Sequence, residues 1–229
     1  MARRNYGQAC SLASALDRIG ERWSLLIVRE LLLGPLRFSD LDRAVGGAPT
    51  DVLTKRLRDL ESDGIVCRRD LDPPASGTAY ELTELGRGLE RSIFELARWG
   101  LNFFQIDDVD GIEVSWLPNS LRVILQPPPD AEMSVQLRSG GNSFRLMVAD
   151  GWITAERGEL VDPDLTLSGD PRAVIAALVV GESSDEGKEA MIEGSDDALA
   201  ELRTMLVLPE RLYEEALEQE QASPTARTA

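Results

Sequence analysis

The sequence predicts a mainly α domain over residues 1–106, an α+β domain with an antiparallel sheet over 107–222, and a frayed tail at 223–229. Three observations carry this. Apolar residues recur at helical spacing as far as Phe104, then alternate as strands do from Met133 onward. Between these regions, Asp107-Asp108-Val109-Asp110-Gly111 has the composition of a linker. Charge divides at the same place: residues 1–105 hold 15 Lys/Arg and 15 Asp/Glu, so the remainder hold 9 and 25 and carry the whole net charge of −16.

In the first domain, Cys10 to Ile19 places Leu12, Leu16 and Ile19 on one helix face, and Gly20 ends the run. Trp23 to Leu33 is apolar nearly all round and closed by Gly34-Pro35, the pattern of a helix in the middle of its domain. Leu36 to Val45 predicts a short helix with Phe38, Leu41 and Val45 inward, and with Ser39 and Asp42 spaced as a capping box. Gly46-Gly47-Ala48-Pro49 breaks it, and Thr50-Asp51 opens a helix striped by Leu53, Leu57 and Leu60 and ended by Gly64. Ile65 to Asp70 alternates as a strand, Pro73 to Gly77 turns, and Thr78 to Leu82 returns. Helix, breaker, helix, strand, turn and strand, in that order, make a winged helix-turn-helix, an arrangement that reads double-stranded DNA.

Thr83 predicts the cap of a long helix reaching about Phe104, with two apolar stripes: Leu85/Leu89/Ile93/Leu96/Phe103 and Phe94/Ala97/Leu101/Phe104, Trp99 lying nearby. One stripe serves the domain's own core. The other calls for a second subunit or the next domain, and a homodimer is favoured because a two-fold pair reads both halves of a palindromic site.

The second domain predicts strands over 114–116, 121–125, 151–155 and 165–167, and a hairpin joining Met133/Val135/Leu137 to Phe144/Leu146/Val148 across Arg138 to Asn142. Helices follow from Pro171 to a stop at Gly181, after Ser195-Asp196-Asp197, and from Pro209 to about Gln221.

Composition narrows the chemistry. No stretch approaches the roughly eighteen apolar residues of a membrane span, and Met1 to Tyr6 leads into no hydrophobic run, so a soluble cytoplasmic protein without a membrane partner is expected. Two cysteines, Cys10 and Cys67, and no histidine exclude a disulfide scaffold, histidine-dependent catalysis and histidine-ligated metals. With no nucleophile–base constellation, metal spacing or phosphate-binding glycine loop, no enzyme and no cofactor are expected. The net charge argues against indiscriminate polyanion binding, yet Lys55 to Arg69 holds five cations against Asp59, Glu61 and Asp63.

Cys10 to Trp99 resembles the HxlR-type winged helix-turn-helix regulators of bacteria. The likeness is carried by Cys10, Leu16, Gly20, Trp23, Gly34, Arg37-Phe38, Leu41, Leu53-Thr54-Lys55-Arg56-Leu57, Leu60-Glu61, Gly64, Arg68, Tyr80-Glu81-Leu82-Thr83 and Gly86-Arg87. It implies dimeric DNA binding, usually as a repressor, with the second helix of the motif in the major groove and the wing beside it. Ala48-Pro49 stands where that family commonly shows Ile-Ser, so Thr50 is expected to take over capping. Residues 110–207 are similar to the sterol carrier protein family through Gly151, Gly158, Asp162 to Asp170, Gly181 and Gly194 to Leu199. That likeness implies a sheet with helices enclosing an apolar tunnel, without naming a ligand.

Candidate functional residues follow. Thr50, Asp51, Thr54, Lys55 and Arg58 are placed for base edges; Arg37, Arg56, Arg68 and Arg69 for phosphate or for structural pairing, Arg56 with Asp59 or Glu61. Ser76, Gly77 and Thr78 belong to the wing. Some HxlR-type members sense oxidants or electrophiles through a cysteine matching Cys10, and a helix N-terminus near Arg3 and Arg4 suits that role; the alternative is a small residue in a dimer interface. Cys67 reads as packing. Trp116, Met133, Phe144, Met147, Trp152, Val174, Ile175, Leu178 and Val179 are candidates to line a cavity for an apolar small-molecule effector, or else fill a core. The rival to a regulator is a small-molecule or lipid carrier whose winged helix mediates protein contacts.

Overall fold

The computed structural model describes residues 5–71, 77–105, 114–181 and 190–222. The chain divides into two units, Met1–Ile93 and Phe94–Ala229. The first contains α1 (Ser11–Ile19), α2 (Ser24–Leu31), β1 (Leu36–Arg37), α3 (Phe38–Val45), α4 (Thr50–Ser62), β2 (Val66–Asp70), β3 (Thr78–Leu82) and α5 (Glu84–Arg87). Its core is built where the apolar runs predict: Ile27, Val28 and Leu31 of α2, Leu41 of α3, and Leu53, Leu57 and Leu60 of α4 are all buried. The three strands form an antiparallel sheet in the order β1-β3-β2, so the wing hairpin pairs Asp70 with Thr78.

Three local expectations are corrected. The strand β1 pairs Leu36 with Tyr80 and Arg37 with Ala79, which keeps the backbone extended as far as Arg37. Helix α3 therefore starts at Phe38, Ser39 lies inside it, and its N-cap, Arg37, makes no side-chain cap bond. Thr50 does not cap α4. Pro49 is the N-cap, its carbonyl accepting the Leu53 N–H at 2.9 Å, and Thr50 is already helical. On α1, Ala13 is buried, while Leu12 is 66% exposed and Leu16 is exposed as well. Finally, Thr83 caps only the short α5, accepting the Gly86 N–H at 3.2 Å, and the chain turns at Gly88-Leu89 before α6 (Glu90–Gly100) and a 3-10 turn at Leu101–Phe103. Thr83 Oγ1 also donates to the Gly64 and Ile65 carbonyls, which pins α5 to the entry of β2.

In the second unit, a 3-10 turn at Val114–Trp116 and α7 (Leu117–Ile124) replace the two strands expected there. Pro118 sits in the first turn, where its missing N–H is not needed, and Leu117, Leu121 and Ile124 fall on one buried helical face. The sheet runs β6 (Trp152–Arg157), β5 (Asn142–Ala149), β4 (Met133–Ser139), β7 (Leu165–Gly169), β8 (Ala190–Gly194). It is mixed rather than antiparallel throughout, because β4 and β7 run parallel, Val135 opposite Leu165. The hairpin turn is Gly140-Gly141, with φ of 52° and 75°, the left-handed backbone that a two-residue connection between right-twisted strands requires. Helices α8 (Pro171–Val179), α9 (Asp196–Thr204) and α10 (Glu210–Ala222) complete the unit. Asp170 and Ser195 cap α8 and α9 through their side chains.

Candidate nucleic-acid interface

Helix α4 separates its two faces cleanly. Leu53, Leu57 and Leu60 are buried, while Thr50, Asp51, Lys55 and Arg58 are exposed and Thr54 is half-exposed. The Thr54 hydroxyl donates to the Thr50 carbonyl at 2.7 Å, leaving its oxygen free to accept. Asp51 lies in the first turn, where a carboxylate suits the helix dipole.

The five cations between Lys55 and Arg69 are unequal. Arg56 is drawn inward, its side chain 12% exposed, and pairs with Asp59 at 3.1 Å and Glu21 at 3.7 Å. Arg68 on β2 reaches back to Glu61 on α4 at 2.8 Å and lies over the Tyr80 ring, and Glu61 raises the basicity of its guanidinium. Arg69 pairs with Glu81 at 3.5 Å. Lys55 and Arg58 have no ion-pair partner among the described residues, and neither does exposed Arg37 next to α3. The geometry thus leaves two cations of α4 and one at the head of α3 as charges available to an anionic partner. The i,i+3 pair of Arg56 with Asp59 is one of the two that the sequence offers for it, whereas the pairs with Glu21 and Glu81 are not visible there, because those carboxylates are remote in the chain from the residues they neutralise.

On the wing, Gly77 and Thr78 are exposed, Gly77 with a φ of 105°, and the Thr78 hydroxyl donates to Asp70 at 3.3 Å. Ser76 lies outside the described residues. Cys10 is exposed at the N-cap of α1, making no side-chain cap bond, and Arg3 and Arg4 lie outside the described residues. Cys67 differs: burial, then the charge of Glu81 and a hydrogen bond to it at 3.8 Å, push its thiol above the ordinary value and keep it protonated.

A model of the HxlR-like helix-turn-helix family matches residues 18–108. The HTH-type transcriptional regulator YtcD of Bacillus subtilis is 35% identical over 111 residues, which cover 48% of this chain and 86% of YtcD. This chain belongs to the HxlR-like helix-turn-helix family. An HTH-type transcriptional regulator of Mycobacterium tuberculosis is 41% identical over 90 residues, 39% of this chain; the chain spans 56% of that relative's length. The crystal structure of ytcD is similar at 34% identity, with a TM-score of 0.38 over 41% of this chain and 96% of that one. The HxlR-like match contains every interface residue from Arg37 to Thr78; Cys10 precedes it.

Beyond the HxlR-like region, the residues expected to line a cavity occupy several places in the second unit. Met133, Phe144, Val174 and Leu178 are buried in the second unit's core. Met147 is 43% exposed, because strand alternation puts it on the face opposite Phe144 and Leu146. Trp152 is taken up in a stack: Phe94 meets it edge-on at 6.1 Å, and the Arg122 guanidinium lies 3.9 Å over the Phe94 ring. Trp116 lies in the 3-10 turn before α7, and Ile175 is half-buried on α8. Only Leu178 and Val179 of the set line the cleft of about 500 Å³ formed by α8, α9 and α10. Leu206 and Leu208 complete its apolar wall, and Arg203, Glu210 and Tyr213 supply its polar groups. Arg203, beside Thr204 and ahead of the apolar run Met205 to Leu208, is the sequence signal that would have found it.

Proposed function

We propose that this chain is a DNA-binding transcriptional regulator of the cytoplasm, a repressor acting as a homodimer on a palindromic operator, whose second, sterol-carrier-like domain binds an apolar small-molecule effector. The observation that carries the reading is the outward face of α4, with Thr50, Asp51, Lys55 and Arg58 exposed and its two cations unpaired among the described residues. Laid in the major groove, that face offers hydroxyls and a carboxylate to base edges and two cations to guanine or phosphate oxygens, while Arg37 and the wing residues Gly77 and Thr78 meet the backbone to either side. Family membership supports the same reading. Exposed apolar residues support the dimer: Leu12, Leu16 and Leu85 in the first unit, and Leu96, Trp99 and Phe103 in the second. An effector would act by preferring one of two dimer geometries, since equal affinity for both shifts nothing. The reading contains no catalytic step.

Fluorescence anisotropy on the DNA upstream of its own gene, at several salt concentrations, tests this. Sequence-preferential binding is expected at low salt; Lys55→Ala/Arg58→Ala should weaken it by about tenfold to a hundredfold and flatten its salt dependence. Binding without sequence preference, or a double variant that binds like the parent, overturns the DNA-reading face. A carrier whose winged helix mediates protein contacts is the second reading, favoured by the cleft of the second unit; ligand binding with no DNA preference would select it. Exposed Cys10 supports an oxidant response. If Cys10→Ser leaves DNA release by diamide unchanged, that part fails.

A further inference from the structure

We propose that Arg56 with Glu21, and Asp63 with Arg18, form an ion-pair seam between the end of α1 and α4 that sets the angle of the reading helix, so that Arg56 serves DNA binding as a positioning residue and not as a phosphate contact. This rests on the reading that the outward face of α4 meets DNA, and it assigns a role to residues beside that face.

At about 100° per residue, positions 56, 59 and 63 fall on one side of α4, between the leucine stripe and the outward face. Asp63 is the C-cap of the helix. Arg56 meets Glu21, two residues beyond α1, at 3.7 Å, and Asp63 meets Arg18, in the last turn of α1, also at 3.7 Å. The two pairs run in opposite senses, α4 supplying the cation of one and the carboxylate of the other. A slide of α4 along α1 therefore brings like charge towards like, Arg56 towards Arg18 or Asp63 towards Glu21, and opposed pairs of this kind fix a register. In both, the α4 side chain is the sheltered partner: Arg56 is 12% and Asp63 8% exposed, against 50% for Glu21 and 53% for Arg18. Sheltered charges are screened by salt less than exposed ones.

The remaining carboxylates of the helix's second half are engaged as well, Asp59 by Arg56 at 3.1 Å and Glu61 by Arg68 at 2.8 Å. Lys55 and Arg58, by contrast, have no ion-pair partner among the described residues. Helix α4 thus carries its anchoring charges on one flank and its contacting charges outward. To reach a phosphate, Arg56 would have to leave both Glu21 and Asp59. Pairs with an exposed partner add little to folding, but they can hold an angle. Hydrogen bonds weaken steeply as they bend, so a rotation of α4 costs base-edge contacts, which carry sequence preference, more than it costs charge contacts to phosphate.

Glu21→Gln separates the two roles, because they predict opposite signs. Removing a carboxylate lessens the repulsion of DNA and by charge alone tightens binding; loosening the seam weakens it. Fluorescence anisotropy of the full chain should show Glu21→Gln weaker than the parent by about threefold to tenfold on the duplex that the parent prefers, and no weaker on an unrelated duplex. Arg56→Gln should lose a similar factor yet keep the parent's salt slope, whereas Arg58→Gln should lower that slope by about one. The double variant Glu21→Gln/Arg56→Gln should lose no more than Arg56→Gln alone, as partners in one pair do. Glu21→Gln binding the preferred duplex as tightly as the parent or more tightly, an Arg56→Gln slope lowered like that of Arg58→Gln, or losses that add in the double variant overturns the proposal. Glu21 is half exposed, so the sign of its effect decides the matter even if Arg56→Gln fails to fold. A parent without sequence preference removes the DNA-reading face and this inference together; a parent that prefers its duplex while Glu21→Gln matches it removes only this inference.

Discussion

The wing hairpin of the first unit takes its register from close neighbours in the chain, whereas the parallel pair in the five-stranded sheet of the second takes part of its register from polar side chains thirty residues apart. In the first, the wing hairpin closes over a short connection, Asp70 opposite Thr78, and Thr83 bonds back to the entry of β2. In the second, the parallel pair β4–β7 has no hairpin to align it. Ser134 at the start of β4 donates through both its N–H and its hydroxyl to Asp164, each at 2.7 Å, and Asp164 N–H returns to the hydroxyl at 3.1 Å. Ser139 at the other end donates to the Gly169 carbonyl at 2.6 Å. Between them, fully buried Gln136 donates to the carbonyls of Phe144 and Gly158 and accepts the Leu160 N–H at 2.6 Å, holding the chain that leads into β7. Parallel pairing is paid for by a polar ladder on its central strand. Antiparallel pairing in the first unit leaves its side chains available for other work.

The comparison breaks at its tightest point first. A Cβ on Gly86 would lie 2.2 Å from the Ile65 carbonyl oxygen and 3.1 Å from Leu82, so Gly86→Ala must displace backbone and should cost about 3 kcal/mol. Urea unfolding reads the cost, and hydrogen exchange should report loosening in 64–87 with 133–169 unchanged. Gln136→Leu makes the converse test: it strands the Leu160 N–H and should cost about 2 kcal/mol, with faster exchange confined to the second unit. An Arg68→Ala change removes an exposed pair with Glu61 and should cost no more than about 1 kcal/mol of stability. It should also weaken DNA binding less than Arg58→Ala does, since Arg68 is already engaged; equal losses would mean that pairing does not decide which cations are available.

Legibility in the sequence follows the same division. Several local features are readable: the α4 stripe, the Gly140-Gly141 turn, the starts of α8 and α9. Where an apolar run was too short to show a period, as at Leu121 to Leu125, helix and strand looked alike, and Pro118 was the underused clue. The two-residue β1 and the edge strand β8 are defined by their partners rather than by pattern, since Met191 on β8 is left exposed. The outward face of α4 was legible from helical geometry alone. The neutralisation of Arg68 and Arg69, and the second pair of Arg56 with Glu21, was not, because it depends on which carboxylates folding brings near.

The smallest effect probes the clasp itself. Asp164 is held below the usual aspartate range by the Ser134 hydroxyl first and the Ser134 backbone N–H next, with burial opposing weakly. The folded value lies below the unfolded one, so the clasp contributes fully above the ordinary aspartate range, and its contribution is lost as pH falls through the folded value. Asp164 is exposed, and solvent screening limits the contribution to no more than about 1 kcal/mol. Urea midpoints of the parent and of Asp164→Asn should therefore differ most at neutral pH and converge in acid. Glu159, lowered by Ser143 and Arg138, drifts in the same direction in both proteins and cancels from the difference. A gap that stays constant from neutral pH into acid would mean that the clasp does not depend on the carboxylate charge and that the parallel pair is aligned by the rest of the ladder.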